Sequence, residues 1–130
     1  MGMMAAGLNP LWGIEISPQI GAWYRRNLGD HLITADVNAI DFSTLPAPDL
    51  LWASPSCVRA SSANNKRGET EEDRAAGRAV ARAIEALRPE YFILENVPQY
   101  RPFDAFGYIL EALDTAGYFY SAENVCASCF

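Results

Sequence analysis

The residues of this chain best suited to chemistry are a cysteine and a glutamate, each just past a short apolar run. Leu50-Leu51-Trp52-Ala53 reads as a strand buried on both faces. Ser54-Pro55-Ser56 ends it, because proline lacks the amide proton that a central ladder needs. Cys57 follows at once. Tyr91-Phe92-Ile93-Leu94 repeats the pattern and closes in Glu95-Asn96-Val97-Pro98. Reactive groups gather at the carboxyl edge of open α/β sheets, so two parallel strands would bring a thiol and a carboxyl to one rim. From Ser54 to Gly68 the charged residues are Arg59, Lys66 and Arg67, all positive, and such a loop favours the thiolate, the nucleophilic form. A carboxyl closing an apolar strand is expected at or near the core, where acids are rare unless paired or working. The bland alternatives are a buried structural cysteine and a satisfied carboxylate capping the next segment.

Two further acids close apolar runs: Glu15, in residues 11–16, and Asp36, after residues 31–35. An acid at the end of the second strand of a nucleotide-binding α/β fold accepts hydrogen bonds from ribose hydroxyls. One at the next strand end could accept from an adenine amino group. An N-cap or loop acid is an equal alternative for each.

The elements that must position these residues have readable ends. Residues 1–7 look like the tail of a helix stopped by Gly7. Ser17 caps and Pro18 starts a helix to about residue 28, with Ile20, Trp23 and Leu28 on the face turned to a sheet. Residues 38–49 connect, and the polar stretch 54–68 is a long loop of the kind that is usually functional or disordered. Thr70, with Asp73 three residues on, opens a helix whose stripe of mostly small residues runs through Ala75, Ala76, Ala79, Val80, Ala83, Ile84 and Leu87 until Pro89. Residues 103–116 form another, ended by Gly117, and residues 118–125 read as a last strand. The alternation predicts an α/β fold with one mainly parallel sheet, and strand ends at Glu15, Asp36, Ser54 and Glu95 on one rim.

With 130 residues the chain is one domain at most. Half of it is hydrophobic and a fifth charged, the balance of a globular rather than a disordered protein. The net charge of −6 has the wrong sign for a self-sufficient nucleic-acid binder, whose affinity comes largely from cations set against phosphates. Three cysteines make no disulfide framework, which points to a reducing cytoplasm. Nothing resembles a signal peptide or a membrane span. Cys126 and Cys129 with the lone His31 supply no four-ligand zinc set, so no metal is expected.

In order along essentially the whole chain, these residues resemble the middle of the catalytic domain of the DNA cytosine-5 methyltransferases. Pro55-Ser56-Cys57 is similar to the family's nucleophile motif, and Glu95-Asn96-Val97 matches a second motif unchanged, with Pro98 after it. Ser61 stands at the family's serine four places past the cysteine. Glu15, with Ile16 beside it, corresponds to the ribose-binding acid, and Asp36, with Val37, to the adenine-binding one. Val58 stands where glutamine is usual and Ala60 where an aromatic is common.

The resemblance implies a Rossmann-like S-adenosylmethionine-dependent methyltransferase sheet, mainly parallel and incomplete, in a single partial catalytic domain over residues 1–130. The family's glycine-rich turn would precede Met1. Its Gln-x-Arg-x-Arg motif and target-recognition region would follow Phe130. The isolated chain is therefore expected to be inactive, to bind S-adenosyl-L-methionine weakly and to grip DNA poorly. The implied chemistry is covalent: the Cys57 thiolate adds to C6 of a flipped-out cytosine, Glu95 hydrogen-bonds or protonates N3, and C5 takes the methyl group. Pro55 joins Glu15, Ile16, Asp36 and Val37 on the cofactor side, and Arg59, Ser61, Asn96 and Val97 lie on the substrate side. DNA is the implied partner and RNA stays open, because relatives of the family act on transfer RNA. Restriction-linked and regulatory roles are equally open, in a bacterial or phage-like cytoplasm or another intracellular setting. The alternative of a different class is a non-catalytic nucleotide- or partner-binding α/β module.

Overall fold

The chain order follows from local signals. A computed structural model describes residues 2–61, 63–65, 68–126 and 128; Lys66, Arg67 and Cys129, named above, lie outside them. Its elements are α1 (Gly2–Ala5), β1 (Gly13–Glu15), α2 (Pro18–Leu28), β2 (Leu32–Thr34), β3 (Leu50–Ala53), α3 (Glu71–Leu87), β4 (Tyr91–Leu94) and α4 (Asp104–Ala116). The Ser17 hydroxyl accepts from the Ile20 amide at the start of α2, with Pro18 in its first turn. At α3 the Thr70 hydroxyl accepts from the Asp73 amide, and the Asp73 carboxylate accepts from the Thr70 amide at 2.8 Å. Two of the helix's orphan donors are thereby satisfied. Replacing Thr70 by Val keeps the shape and removes the cap oxygen, at an expected cost of about 1 kcal/mol. A urea midpoint that falls with the slope unchanged is the expected reading; an unmoved midpoint would mean that tertiary contacts alone start α3.

Both ladders are parallel, yet they do not form the single sheet expected from the sequence. Leu32 to Thr34 pairs with Gly13 to Glu15 in register, and Tyr91 to Leu94 with Leu50 to Ala53, as two separate two-stranded sheets. An apolar run marks a strand but carries no label for its neighbour. The two ladders meet instead through side chains. Trp12 and Ile14 pack against the core that holds Leu51, Ile84 and Ile109, and the Trp12 indole donates to Pro46 O at 2.9 Å.

That core lies under α3 and α4 and takes Leu51, Phe92 and Leu94 from one face of β3 and β4. The alternate residues Trp52, Tyr91 (61% exposed) and Ile93 stand on the other face, in solvent. The expectation of burial on both faces is thus corrected: among the described residues, one layer of helices covers one face of this ladder and the other face is open. The face of α2 is also not the one expected. Ile20 and Trp23 are exposed, whereas Gly21 is buried against Leu32 and Thr34. The absence of a side chain at Gly21 lets the helix come close.

Residues 118–125 form no strand. Gly117, at φ +80°, turns the chain out of α4, and the Tyr118 hydroxyl donates to Pro89 O. Residues 119–126 are exposed, held by the Arg101 guanidinium on Ala122 O at 3.2 Å. Strand propensity without a ladder partner is not enough.

Candidate active site

Ala53 and Leu94 are register partners, and the Glu95 amide donates to Ala53 O at 3.0 Å, so the chain leaves β3 and β4 at the same end. The segments beyond are tied together twice. The Ser54 hydroxyl donates to Glu95 Oε2 at 2.7 Å. Asn96 Nδ2 donates to Pro55 O at 2.9 Å, while Asn96 Oδ1 accepts from the Val97 amide at 2.9 Å. Cys57 then heads a turn in which its carbonyl accepts from the amides of Ala60 (3.1 Å) and Ser61 (2.8 Å). The Ser61 hydroxyl accepts from the Ala63 amide.

Cys57 is an exposed free thiol, which removes the buried structural alternative. Glu95 is exposed too, not at the core as expected. Alternation along the strand explains it: Leu94 turns to the core, so the next residue turns to the open side. A thiol and a carboxyl, both reachable from solvent, thus stand at one end of one ladder. Such a pair can attack an electrophilic carbon and handle a proton nearby.

Of the basic loop residues, Arg59 is described and half-buried. The Glu72 carboxyl is held below its ordinary range by its own backbone amide and the Thr70 hydroxyl, with a smaller contribution from the Arg59 charge. Ser54 escaped the sequence reading, which took it as a turn residue only. The available signal was a hydroxyl one residue past a strand whose parallel neighbour is followed by an acid.

Glu15 and Asp36 also leave paired strands at a common end, since Glu15 is the register partner of Thr34. Each does local work. Glu15 Oε1 accepts from the Ser17 amide at 2.8 Å, and Asp36 Oδ1 accepts from the amide and the side chain of Asn38 at 2.9 Å. Their second oxygens make no hydrogen bond among the described residues. Ile16 beside them is exposed, whereas Val37 packs toward the core. Two carboxylates with an open oxygen each, next to an exposed apolar residue, fit a ligand that carries vicinal hydroxyls and an amino group.

Cys126 is exposed with its sulfur 3.0 Å from the Ser128 hydroxyl, and His31 Nε2 is engaged by the Tyr24 hydroxyl at 2.7 Å. Among the described residues no group of three His, Cys, Asp or Glu could hold a metal ion, and no helix is long and apolar enough to cross a membrane.

The chain is similar to the type II methyltransferase M.NlaX of Neisseria lactamica, 31% identical over 107 residues that make up 80% of this chain and 34% of that protein. Its fold is similar to that in the crystal structure of the S. pombe Dnmt2 methyltransferase, with a TM-score of 0.65 over 87% of this chain and 35% of that one at 20% identity. The chain thus spans about a third of the length of the relatives it matches. The family model described as C-5 cytosine-specific DNA methylase matches residues 1–130 from end to end, and the chain belongs to that family.

Proposed function

We propose that this chain is the base-attacking part of a DNA (cytosine-5) methyltransferase, with Cys57 as nucleophile and Glu95 as the group that engages N3. The observation that carries the reading is the pair of hydrogen bonds, Ser54 to Glu95 and Asn96 to Pro55, that fixes an exposed thiol-bearing turn beside an exposed carboxyl. Cytosine C5 is too weak a nucleophile to be methylated unaided. A Cys57 thiolate forms a carbon–sulfur bond at C6, and Glu95 donates to N3, so that electron density builds at C5. Later loss of the C5 proton lets the carbon–sulfur bond break and returns the thiolate. Glu15 and Asp36 bind ribose hydroxyls and an adenine amino group, with Ile16, Val37 and Pro55 beside them. S-adenosyl-L-methionine, when bound there, supplies the methyl group as a sulfonium electrophile. Ser61, Asn96 and Val97 line the base, and Arg59 meets a phosphate. Residues 1–130 act as one part of a catalytic domain. With a net charge of −6, most of the grip on DNA and the reading of its sequence come from outside them.

The test grafts residues 1–130 into the matching third of the Neisseria methyltransferase and offers oligonucleotides with fluorine at C5 of the target cytosine. After methyl transfer no proton is left at C5, so the enzyme stays attached. A denaturation-resistant adduct with DNA that requires S-adenosylmethionine is the expected result. An adduct with RNA alone would overturn the DNA assignment and keep the chemistry. None with either would remove the covalent reading.

A further inference from the structure

The turn that carries Cys57 and the turn that follows Glu95 are built alike. The Ala60 amide donates to Cys57 O, and the Tyr100 amide donates to Val97 O at 2.9 Å. Each turn starts among the rim residues and ends on a buried one: Ala60 is 4% exposed and Tyr100 2%. The two buried ends meet. With Ala105, at the start of α4, they form a second small core against which Val97, Phe103 and Phe106 pack. The Tyr100 ring centroid lies 5.5 Å from that of Phe103 and 6.3 Å from that of Phe106.

This core sits behind the candidate active site and apart from the main one. Ser54 and Pro55 fasten the start of the Cys57 loop to the Glu95 segment, and Ala60 fastens its far side. Cys57 is slung between the two attachments. The Tyr100 hydroxyl is buried and has no hydrogen-bond partner among the described residues. Burial, then the charges of Asp73 and Glu69, push its pKa up to about 12, so it stays a neutral phenol. What Tyr100 contributes is therefore its ring and not its hydroxyl.

We infer that Tyr100 is a positioning residue: its ring, seated with Ala60 in this small core, locks the Cys57 turn to the Glu95-Asn96-Val97 segment and so sets the spacing of thiol and carboxyl. The value of that spacing rests on the proposed methyl transfer, but the lock itself does not.

Amide hydrogen exchange on the full 130-residue chain reads the lock directly. The amides of Ala60 and Ser61 report the Cys57 turn, and the Glu95 amide, bonded to Ala53 O, reports the ladder beside it. In Tyr100→Ala the two turn amides are expected to exchange at least about tenfold faster while the Glu95 amide keeps its protection. Tyr100→Phe keeps the ring and is expected to exchange as the wild type at all three. Unchanged turn amides in Tyr100→Ala overturn the inference. So does a rise at all three together, which marks a plain core residue. Should Tyr100→Ala unfold the chain, Tyr100→Leu, which keeps apolar bulk and loses the ring, is followed at the same three amides, and the same two results overturn the inference. A locked turn together with no fluorocytosine adduct would sink the methyl-transfer reading and leave this one standing.

Discussion

Cys57→Ser is expected to abolish the fluorocytosine adduct in the grafted enzyme and to lower methyl transfer by about 10⁴-fold or more. The reason is ionisation. A thiol gives up its proton far more readily than an aliphatic hydroxyl, and a serine hydroxyl is essentially never ionised at neutral pH. The turn does not depend on the sulfur, because it is held by the Cys57 carbonyl on the Ala60 and Ser61 amides. Serine therefore keeps the geometry and removes only the nucleophile. Glu95→Gln keeps the shape and the bond from Ser54 but loses the acid, and should slow adduct formation by roughly 10²–10⁴-fold without preventing it. Cys126→Ser should trap as the wild type does, since Cys126 lies in the exposed stretch after α4 and not in the turn beyond β3. An adduct that survives Cys57→Ser would assign the nucleophile to another residue and end the central proposal.

The parts of the fold that were legible in the sequence are those decided within a few residues. Ser17 with Pro18, Thr70 with Asp73, and Gly117 each fix a helix end through their own hydrogen bonds or φ, and the structure has those ends where the residues put them. The thiol and the carboxyl could be placed on one rim for the same reason: each follows a short strand and a turn residue, and β3 and β4 pair in parallel. What the sequence did not disclose is what lies beside what. Residues 118–125 have strand composition but no ladder. The strands after Leu11 and after Asp49 lie in two sheets, and nothing in their composition says so. Hydrophobic counting put Ile20 and Trp23 on the buried face of α2, because glycine scores nothing on such a scale. Yet a Cβ at Gly21 would stand 3.1 Å from Thr34 Oγ1 and 3.2 Å from Leu32 Cδ2, so that is the face in contact. The bond from Ser54 to Glu95 and the contact of Ala60 with Tyr100 join segments about 40 residues apart, a distance at which no periodicity speaks.

The largest effect on stability is expected at Gly77, with a sign opposite to that of helix propensity. Gly77 is buried in the interior of α3, where replacing glycine by alanine should by itself favour the helix by about 1 kcal/mol. A Cβ there, however, would stand 2.6 Å from Ala105 Cα, 2.6 Å from Ala105 O and 2.7 Å from Ala105 Cβ. Two of these atoms are backbone and cannot swing aside, so α4 must move bodily away from α3. Overpacking of this kind costs about 1–3 kcal/mol and occasionally more, and contact with rigid backbone belongs at the upper end. Gly77→Ala is therefore expected to destabilise the chain by about 2 kcal/mol net, read as a lower urea midpoint at constant slope. Gly107, in the first turns of α4, is the control: a Cβ there meets nothing within 4 Å, so Gly107→Ala should raise the midpoint by about 0.5–1 kcal/mol from propensity alone. The displacement at Gly77 should also reach the candidate site. Ala105 shares its small core with Ala60 and Tyr100, and its amide donates to Glu69 Oε1 at 2.8 Å, just before the cap of α3. Faster exchange of the Ala60 and Ser61 amides in Gly77→Ala, at a denaturant concentration where the chain is still folded, is the expected companion result. A midpoint that rises in Gly77→Ala would mean that α3 and α4 cross farther apart than this, and the route from their crossing to the Cys57 turn would fall with it.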